Sequence, residues 1–346
     1  MRIVLAVAAL VAAGSLAGAL VLALSSVRAT GSRSRAAARM SSSRVPARPP
    51  ASRPSASATT SPATAGYSFS TLDNARDRTF NRLLGINALG HICGYLGSGA
   101  TGHPNRGFIL RPPYGQAHYQ AIDVPRSAQT QLTGLNDAGV QVGFWSAQAT
   151  SPGGNFGFYL KSGRFVSVSF PARGSVRPPV NQLLGVNNHD VAVGFYTDGK
   201  GSRHGYTYDI ATKKFTPVAV PGGSVTAAAI NNAGQVAGFV TSPKGLTEGF
   251  VLLNGNLTRL SVPGATMTQA LGINDAGEVV GDYQLGNGSG ASVHGFTWTQ
   301  QEGFKTVDDP GAASATTING VNDAGELVGF YVDRAGTHGL LAMPSS

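Results

Sequence analysis

The stretch Gly272–Tyr283 reads GINDAGEVVGDY, and nearly the same words return at Gly320–Tyr331 as GVNDAGELVGFY. Asn at the first position and Gly at the fourth of Asn274-Asp275-Ala276-Gly277 suit a type I turn whose Gly closes a bulge in the left-handed region. The flanking apolar residues then read as two strands of a hairpin. The hairpin occurs six times, anchored on Asn87, Asn136, Asn187, Asn231, Asn274 and Asn322. Self-similarity at such spacings marks a repeat architecture.

Each hairpin is followed by a Gly-aromatic pair, such as Gly107-Phe108 or Gly295-Phe296, with Gly339-Leu340 as the exception. A short alternating run ending at Pro comes next, as in Phe215–Pro221 and Phe304–Pro310. It reads as a strand and a turn. A unit therefore offers four strands, in the fifth copy Gln269–Asn274, Glu278–Tyr283, His294–Thr299 and Phe304–Asp308. No helical periodicity is sustained anywhere in the body. The last unit stops after its third strand, His338–Met343, and the missing one stands at the other end of the body, where Phe69–Asp73 matches Phe304–Asp308. Six four-stranded units with complementary ends predict an all-β fold, a six-bladed β-propeller closed by an amino-terminal strand that completes the last blade.

The words GINDAGEVVGDY, HGF at His294–Phe296 and FKTVDDPGA at 304–312 together resemble the HAF repeat of bacterial extracellular proteins, over essentially all of residues 67–346. The resemblance implies export and a repeat fold, and it brings no activity and no catalytic residues. The histidine of that repeat is matched by His204, His294 and His338, whereas the other copies hold Arg106, Phe156 and Glu248. A ring of metal-binding histidines is not expected.

Charge divides the chain. Residues 1–66 contain eight arginines and no Lys, Asp or Glu, which leaves 18 of the 26 Lys+Arg to the rest, against all 17 Asp+Glu. The nearly neutral body argues against a nucleic-acid partner. Ile3–Leu24 is an apolar run of about 22 residues, long enough to span a bilayer, so residues 1–29 read as a signal peptide or a membrane anchor, the two standing level. Residues 30–66, rich in Ser, Ala, Pro and Arg, read as a disordered linker. The expected location is secreted or cell-surface, the expected state a monomer. Cys93, the single cysteine, aligns with Val142, Val193, Ala237, Val280 and Val328, and so reads as a small core residue.

In a propeller the hairpin turns lie at one end, and the second-to-third and fourth-to-first connections at the other. The hairpin turns are uniform. The second-to-third loops, such as Leu96–Asn105, Ser146–Asn155 and Gln284–Val293, vary in length and content. Recognition is expected at that loop face. Five residues before each repeat Asn stand Arg82, Gln131, Gln182, Thr226, Gln269 and Thr317, a polar ring placed at the channel mouth as the candidate ligand-binding set.

Calcium at the Asn-Asp turns is not favoured, because only Asp137, Asp275 and Asp323 fill the second position. Asp282 stands where Phe144, Phe195, Phe239 and Phe330 stand in other copies, and the favoured reading is an outward-facing substitution, with a functional exception as the alternative. No metalloprotease, nucleophile-elbow or CxxC pattern is present. No cofactor, metal or catalytic residue is assigned. The favoured function is a binding or adhesion module for a glycan, peptide or protein. The alternatives are a secreted hydrolase or lactonase-like enzyme at the channel mouth, and a structural protein of the envelope matrix.

Overall fold

A computed structural model describes residues 66–148, 154–171 and 180–345. The apolar run at 3–24, almost all of the linker at 30–66 and the centre of the Ser146–Asn155 loop lie outside the described residues.

Among the described residues there are 24 strands, two single-turn 3-10 helices and no α-helix. The first unit is β2 (Asn81–Ile86), β3 (Ile92–Leu96), β4 (Arg106–Leu110) and β5 (Tyr119–Ala121). The second is β6 (Gln129–Leu135), β7 (Gln141–Ser146), β8 (Phe156–Lys161) and β9 (Arg164–Val168). The third holds β10 (Asn181–Val186), β11 (Val191–Thr197), β12 (Arg203–Asp209) and β13 (Lys214–Val218). In the fourth are β14 (Ser224–Ile230), β15 (Val236–Thr241), β16 (Thr247–Leu253) and β17 (Asn256–Leu260). The fifth is β18 (Met267–Ile273), β19 (Val279–Leu285), β20 (Ser292–Thr299) and β21 (Gly303–Thr306). The sixth has β22 (Ala315–Val321), β23 (Leu327–Val332) and β24 (Thr337–Pro344) from its own stretch of chain. Its fourth member is β1 (Tyr67–Thr71), antiparallel to β24 with Phe69 opposite Ala342 and Thr71 opposite Leu340. The fifth unit uses the same offsets, with Phe304 opposite Trp298 and Thr306 opposite Phe296.

Within each unit consecutive strands pair antiparallel. The first three units are separate four-stranded sheets, whereas the last three run together as one mixed 12-stranded sheet. That continuity differs from six isolated sheets and rests on two single parallel pairs, Thr247 with Met267 and Val293 with Ala315. The start of each third strand lies beside the start of the next first strand, and single bonds join the same junction elsewhere, Asn181 N to Asn155 O at 2.9 Å and Thr337 N to Thr79 O at 3.0 Å.

Burial falls from the first strand outward. Every residue of β22 is buried, whereas β17 follows the pattern exposed, half-buried, exposed, exposed, buried. Short outer strands with Lys, Thr and Arg on the wet side suit a sheet edge. Six apolar clusters fill the spaces between neighbouring units. One sets Leu83 and Phe108 of the first unit against Val328 and Leu341 of the sixth. Cys93 is fully buried beside Ile109, Leu132 and Phe158, and burial pushes its thiol pKa well up. It is a core residue, as its alignment suggested.

Every hairpin of first and second strands carries a bulge, in the fifth unit between Ala270 and Gly272. The first strands crowd together there. A Cβ at Gly272 would stand 2.8 Å from the Asn319 carbonyl oxygen and 3.1 Å from the Gly320 Cα. This explains why the repeat word opens with Gly. Around this level runs a narrow axial cavity of about 80 Å³, lined by residues of all six first strands, among them Leu84, Thr133, Leu184, Ala228, Leu271 and Asn319.

Candidate ligand-binding face

The Asn turns form as the sequence suggests: Gly277 donates its N–H to the Asn274 carbonyl at 3.1 Å and has φ +79°. The Asn side chains do more than shape a turn. Each is buried, and each Nδ2 donates to the backbone oxygen of the corresponding Asn in the following unit. The series runs Asn87 to Asn136 (3.2 Å), Asn136 to Asn187 (3.0 Å) and Asn187 to Asn231 (3.0 Å). It continues Asn231 to Asn274 (2.9 Å), Asn274 to Asn322 (3.1 Å) and Asn322 back to Asn87 (3.2 Å). The next residue makes a parallel series, in which Asp275 Oδ1 accepts from Asn232 N (2.8 Å) and Asp323 Oδ1 from Asp275 N (2.9 Å). Asp137, Asp275 and Asp323 are thus engaged in holding neighbouring turns. The turn end is scaffold.

At the loop end the motif HGF and the later Asp explain each other. Asp308 accepts from Gly295 N (3.2 Å) and pairs with His294 Nδ1 (2.7 Å), and the His294 ring lies against Tyr283 with centroids 5.2 Å apart. Asp73 does the same for Gly339 N (3.0 Å) and His338 Nδ1 (2.6 Å). Burial works against the His338 cation, but Asp73 and Asp333 outweigh it and raise its pKa. His204 bonds Asp198 (2.9 Å) and stacks on Tyr196, and this bond holds the Asp198 carboxyl at about 2. The three repeat histidines are thus structural clamps on three different units.

The six predicted ring residues occupy equivalent positions on the first strands, two residues before the cavity-lining positions, toward the loop end. Four of them are buried: Gln182, Thr226, Gln269 and Thr317. Arg82 and Gln131 are half-buried. Each stands opposite a residue of its second strand, such as Gln182 opposite Phe195 and Gln269 opposite Asp282. The Arg82 guanidinium lies 4.3 Å from the Phe330 ring centroid and 4.9 Å from that of Phe80, and Gln131 donates to Asn105 Oδ1 at 2.8 Å.

Asp282 corrects the sequence reading. It is not an outward-facing substitution: it is 2% exposed, and its Oδ2 accepts from Thr317 Oγ1 at 3.2 Å. The aromatic position it replaces points between units toward the next ring residue, as Phe330 does toward Arg82, so a carboxylate there enters the interior. Burial pushes its pKa up to about 7, against the Thr317 bond and the Arg82 charge. Sequence alignment flagged the position, but the direction of the side chain needed the neighbouring unit.

Around this level several buried polar atoms have no hydrogen-bond partner: Gln182 Oε1, Gln269 Oε1, Asp282 Oδ1, Asn319 Oδ1 and Thr226 Oγ1. Three of these five, the amide oxygens of Gln182, Gln269 and Asn319, are pure acceptors. Buried polar atoms are rarely left so, and where they cluster they mark places for water or a ligand.

No known family model matches the chain, and no curated protein matches it. Among solved structures it is similar to TolB from Acinetobacter baumannii, with 13% identity, 73% of this chain covered and a TM-score of 0.47. The matched region spans 63% of TolB's length. A lectin from Aleuria aurantia, solved with α-methyl-L-fucoside, is similar at 10% identity, covering 66% of this chain and 79% of the lectin, with a TM-score of 0.40. A gluconolactonase from Xanthomonas campestris is similar at 12% identity, covering 81% of this chain and 90% of the enzyme, with a TM-score of 0.44.

Proposed function

We propose that the chain is a six-bladed β-propeller of the HAF-repeat kind, closed by its amino-terminal strand, acting outside a bacterial cell as a binding or adhesion module. Its ligand, a glycan, peptide or protein, sits on the loop face over the channel. Three features support the closed reading: the Asn322 to Asn87 bond, the pairing of β1 with β24, and the apolar cluster of Leu83 with Val328. The apolar run at 3–24 supports export. Amino-terminal sequencing of protein from the cell surface tests it, since an intact Met1 would favour an anchor and a start near residue 30 a cleaved signal.

The observation that carries the binding reading is the set of unpartnered acceptors at the loop end of the channel. A hydroxyl- or amide-bearing ligand supplies the donors they lack. Glycan-array screening followed by calorimetry on the full chain tests it. Replacing Gln182 and Gln269 together by Met should weaken binding of a ligand so found by about tenfold or more. Stability should hold, because an unmade hydrogen bond is removed and not broken. Unchanged affinity in the double variant would remove the ring from the site.

Asp282 favours a second reading, an enzyme, because a carboxylate near neutrality can hold or release a proton at working pH. Glycoside hydrolysis by paired carboxylates needs two acids, and the ring level brings only Asp282 among the described residues. Turnover of a lactone or ester panel that disappears in Asp282→Asn would establish this reading over binding alone.

A further inference from the structure

The two ends of the molecule expose different charges: the turn end presents Asp275, Glu302 and Asp323 beside Arg164, Lys213 and Lys214, whereas the exposed charges of the loop end are cations among the described residues. On the loop face, every described acid is buried or half-buried, and all but the half-bonded Asp282 are already engaged. Asp73 and Asp308 hold the histidine clamps described above. Asp198 and Asp333 close their own loops, accepting from Lys200 N and Ser202 N and from Ala335 N and Gly336 N. Asp77 binds Thr79 and His103, Glu248 binds Arg259, Asp123 takes the Gly107 N–H and Asp309 the Gly311 N–H. Among the cations of this end, Arg106 and Arg203 are half-buried and Arg259 is paired with Glu248, but six others stand out. Arg76, Arg78, Arg126, Lys200, Lys244 and Arg334 are all exposed, and none makes a salt bridge among the described residues. They stand in the loops of several different units and so surround the channel end instead of forming one pocket. Near the axis of the opposite end lie Asp137, Asp275 and Asp323.

We infer that the loop face docks an anionic polysaccharide, whose repeated carboxylate or phosphate groups meet these spaced cations. This rests on the binding reading above and names its ligand class. A compact ligand reaches one or two of the six, whereas a chain of anionic sugars crosses several loops at once and gains a charge-assisted bond at each. A lipid surface fits less well: the exposed large apolar residues of this face are Leu246 and Leu285 only, with no protruding aromatic among the described residues.

The experiment uses the full chain with Arg28, Arg33, Arg35, Arg39, Arg44, Arg48 and Arg53 changed to Ser, so that the basic leader does not bind the probe. The loop-face triple variant Lys200→Glu, Lys244→Glu, Arg334→Glu is compared with the turn-face triple Arg164→Glu, Lys213→Glu, Lys214→Glu, which changes net charge equally. Polygalacturonate is the anionic probe, dextran the neutral one and phosphatidylglycerol vesicles the lipid one. The loop-face triple should lose about tenfold or more of its polygalacturonate affinity and most of its salt dependence, and the turn-face triple should stay within about twofold of the parent. Equal losses in both triples, or no polygalacturonate binding by the parent, would overturn the inference. Capture by vesicles without capture by polygalacturonate would overturn it in favour of lipid. Glycan-array binding confined to neutral sugars would overturn it while leaving the binding reading intact, and no binding on any array would remove both.

Discussion

Asn187 accepts from the N–H groups of His189 (3.1 Å) and Val191 (3.0 Å) and donates to Asn231 O at 3.0 Å. Its oxygen shapes the turn within one unit, and its nitrogen holds the next unit. The two roles separate by substitution. Asp forms the same side-chain turn as Asn, so turn chemistry alone predicts a neutral Asn187→Asp change. The inter-unit bond predicts otherwise, since a carboxylate would face a buried carbonyl oxygen. Asn187→Asp should destabilise at neutral pH, and Asn187→Ala should cost about 3 kcal/mol by chemical denaturation, because buried groups on both sides lose partners. Asp282 makes a second residue-scale prediction. Its pKa is about 7 when folded against an ordinary 3.8, so the folded state binds a proton that the unfolded state has released. Its contribution to stability therefore falls as pH rises from about 4 to about 7 and stays low above that. Thermal melts of Asp282→Asn should lack this decline and should exceed the parent above pH 7.

The decisive element is β1. It contributes backbone bonds to β24, the Asp73 grip on His338 and Gly339, and Thr71 Oγ1 bonded to Tyr331 at 3.0 Å. Removing residues 67–74 leaves β24 as a bare edge and opens two inter-unit clusters, with Tyr67 and Phe69 lost from the apolar set around Ile318 and Leu340 and Leu72 from the set of Leu83 and Val328. The melting temperature should fall by about 10 °C or more, and an unchanged melt would refute closure through this strand. The role of β1 was legible before any coordinates, because Phe69–Asp73 repeats Phe304–Asp308. The single parallel pairs that fuse the last three units were not, since one bond between strands of different units leaves no periodic trace in either.

For the whole molecule, the two ends of the described chain meet: Ser345 N donates to Gly66 O at 2.7 Å. In the closed propeller proposed above, closure is by pairing and not by covalent continuity, so the break in the chain can be moved. A permuted chain joining Ser346 to Gly66 and opening between Lys244 and Gly245, in an exposed loop, should fold cooperatively with a melting temperature within about 10 °C of the parent. Far-UV circular dichroism and thermal melts check this, and loss of cooperative unfolding would argue for an open array. A break moved into an Asn turn should cost more, because it cuts one bond of the inter-unit series.

The sequence by itself determined the six hairpins, the four-strand content of each unit, the displaced amino-terminal strand and the core place of Cys93. These follow from local periodicity, turn chemistry and self-similarity, which act over a few residues and recur often enough to read. Only the tertiary structure decided what the repeated Asn bonds, that Asp282 turns inward, that four of the six ring residues are buried and that the acids of the loop face other than Asp282 are all engaged. The Asn bonds join residues 43 to 51 apart, or 235 between Asn322 and Asn87, and Asp282 meets Thr317 35 residues on. No local pattern records which atom of one unit meets which atom of the next, nor which donor within a loop a carboxylate takes.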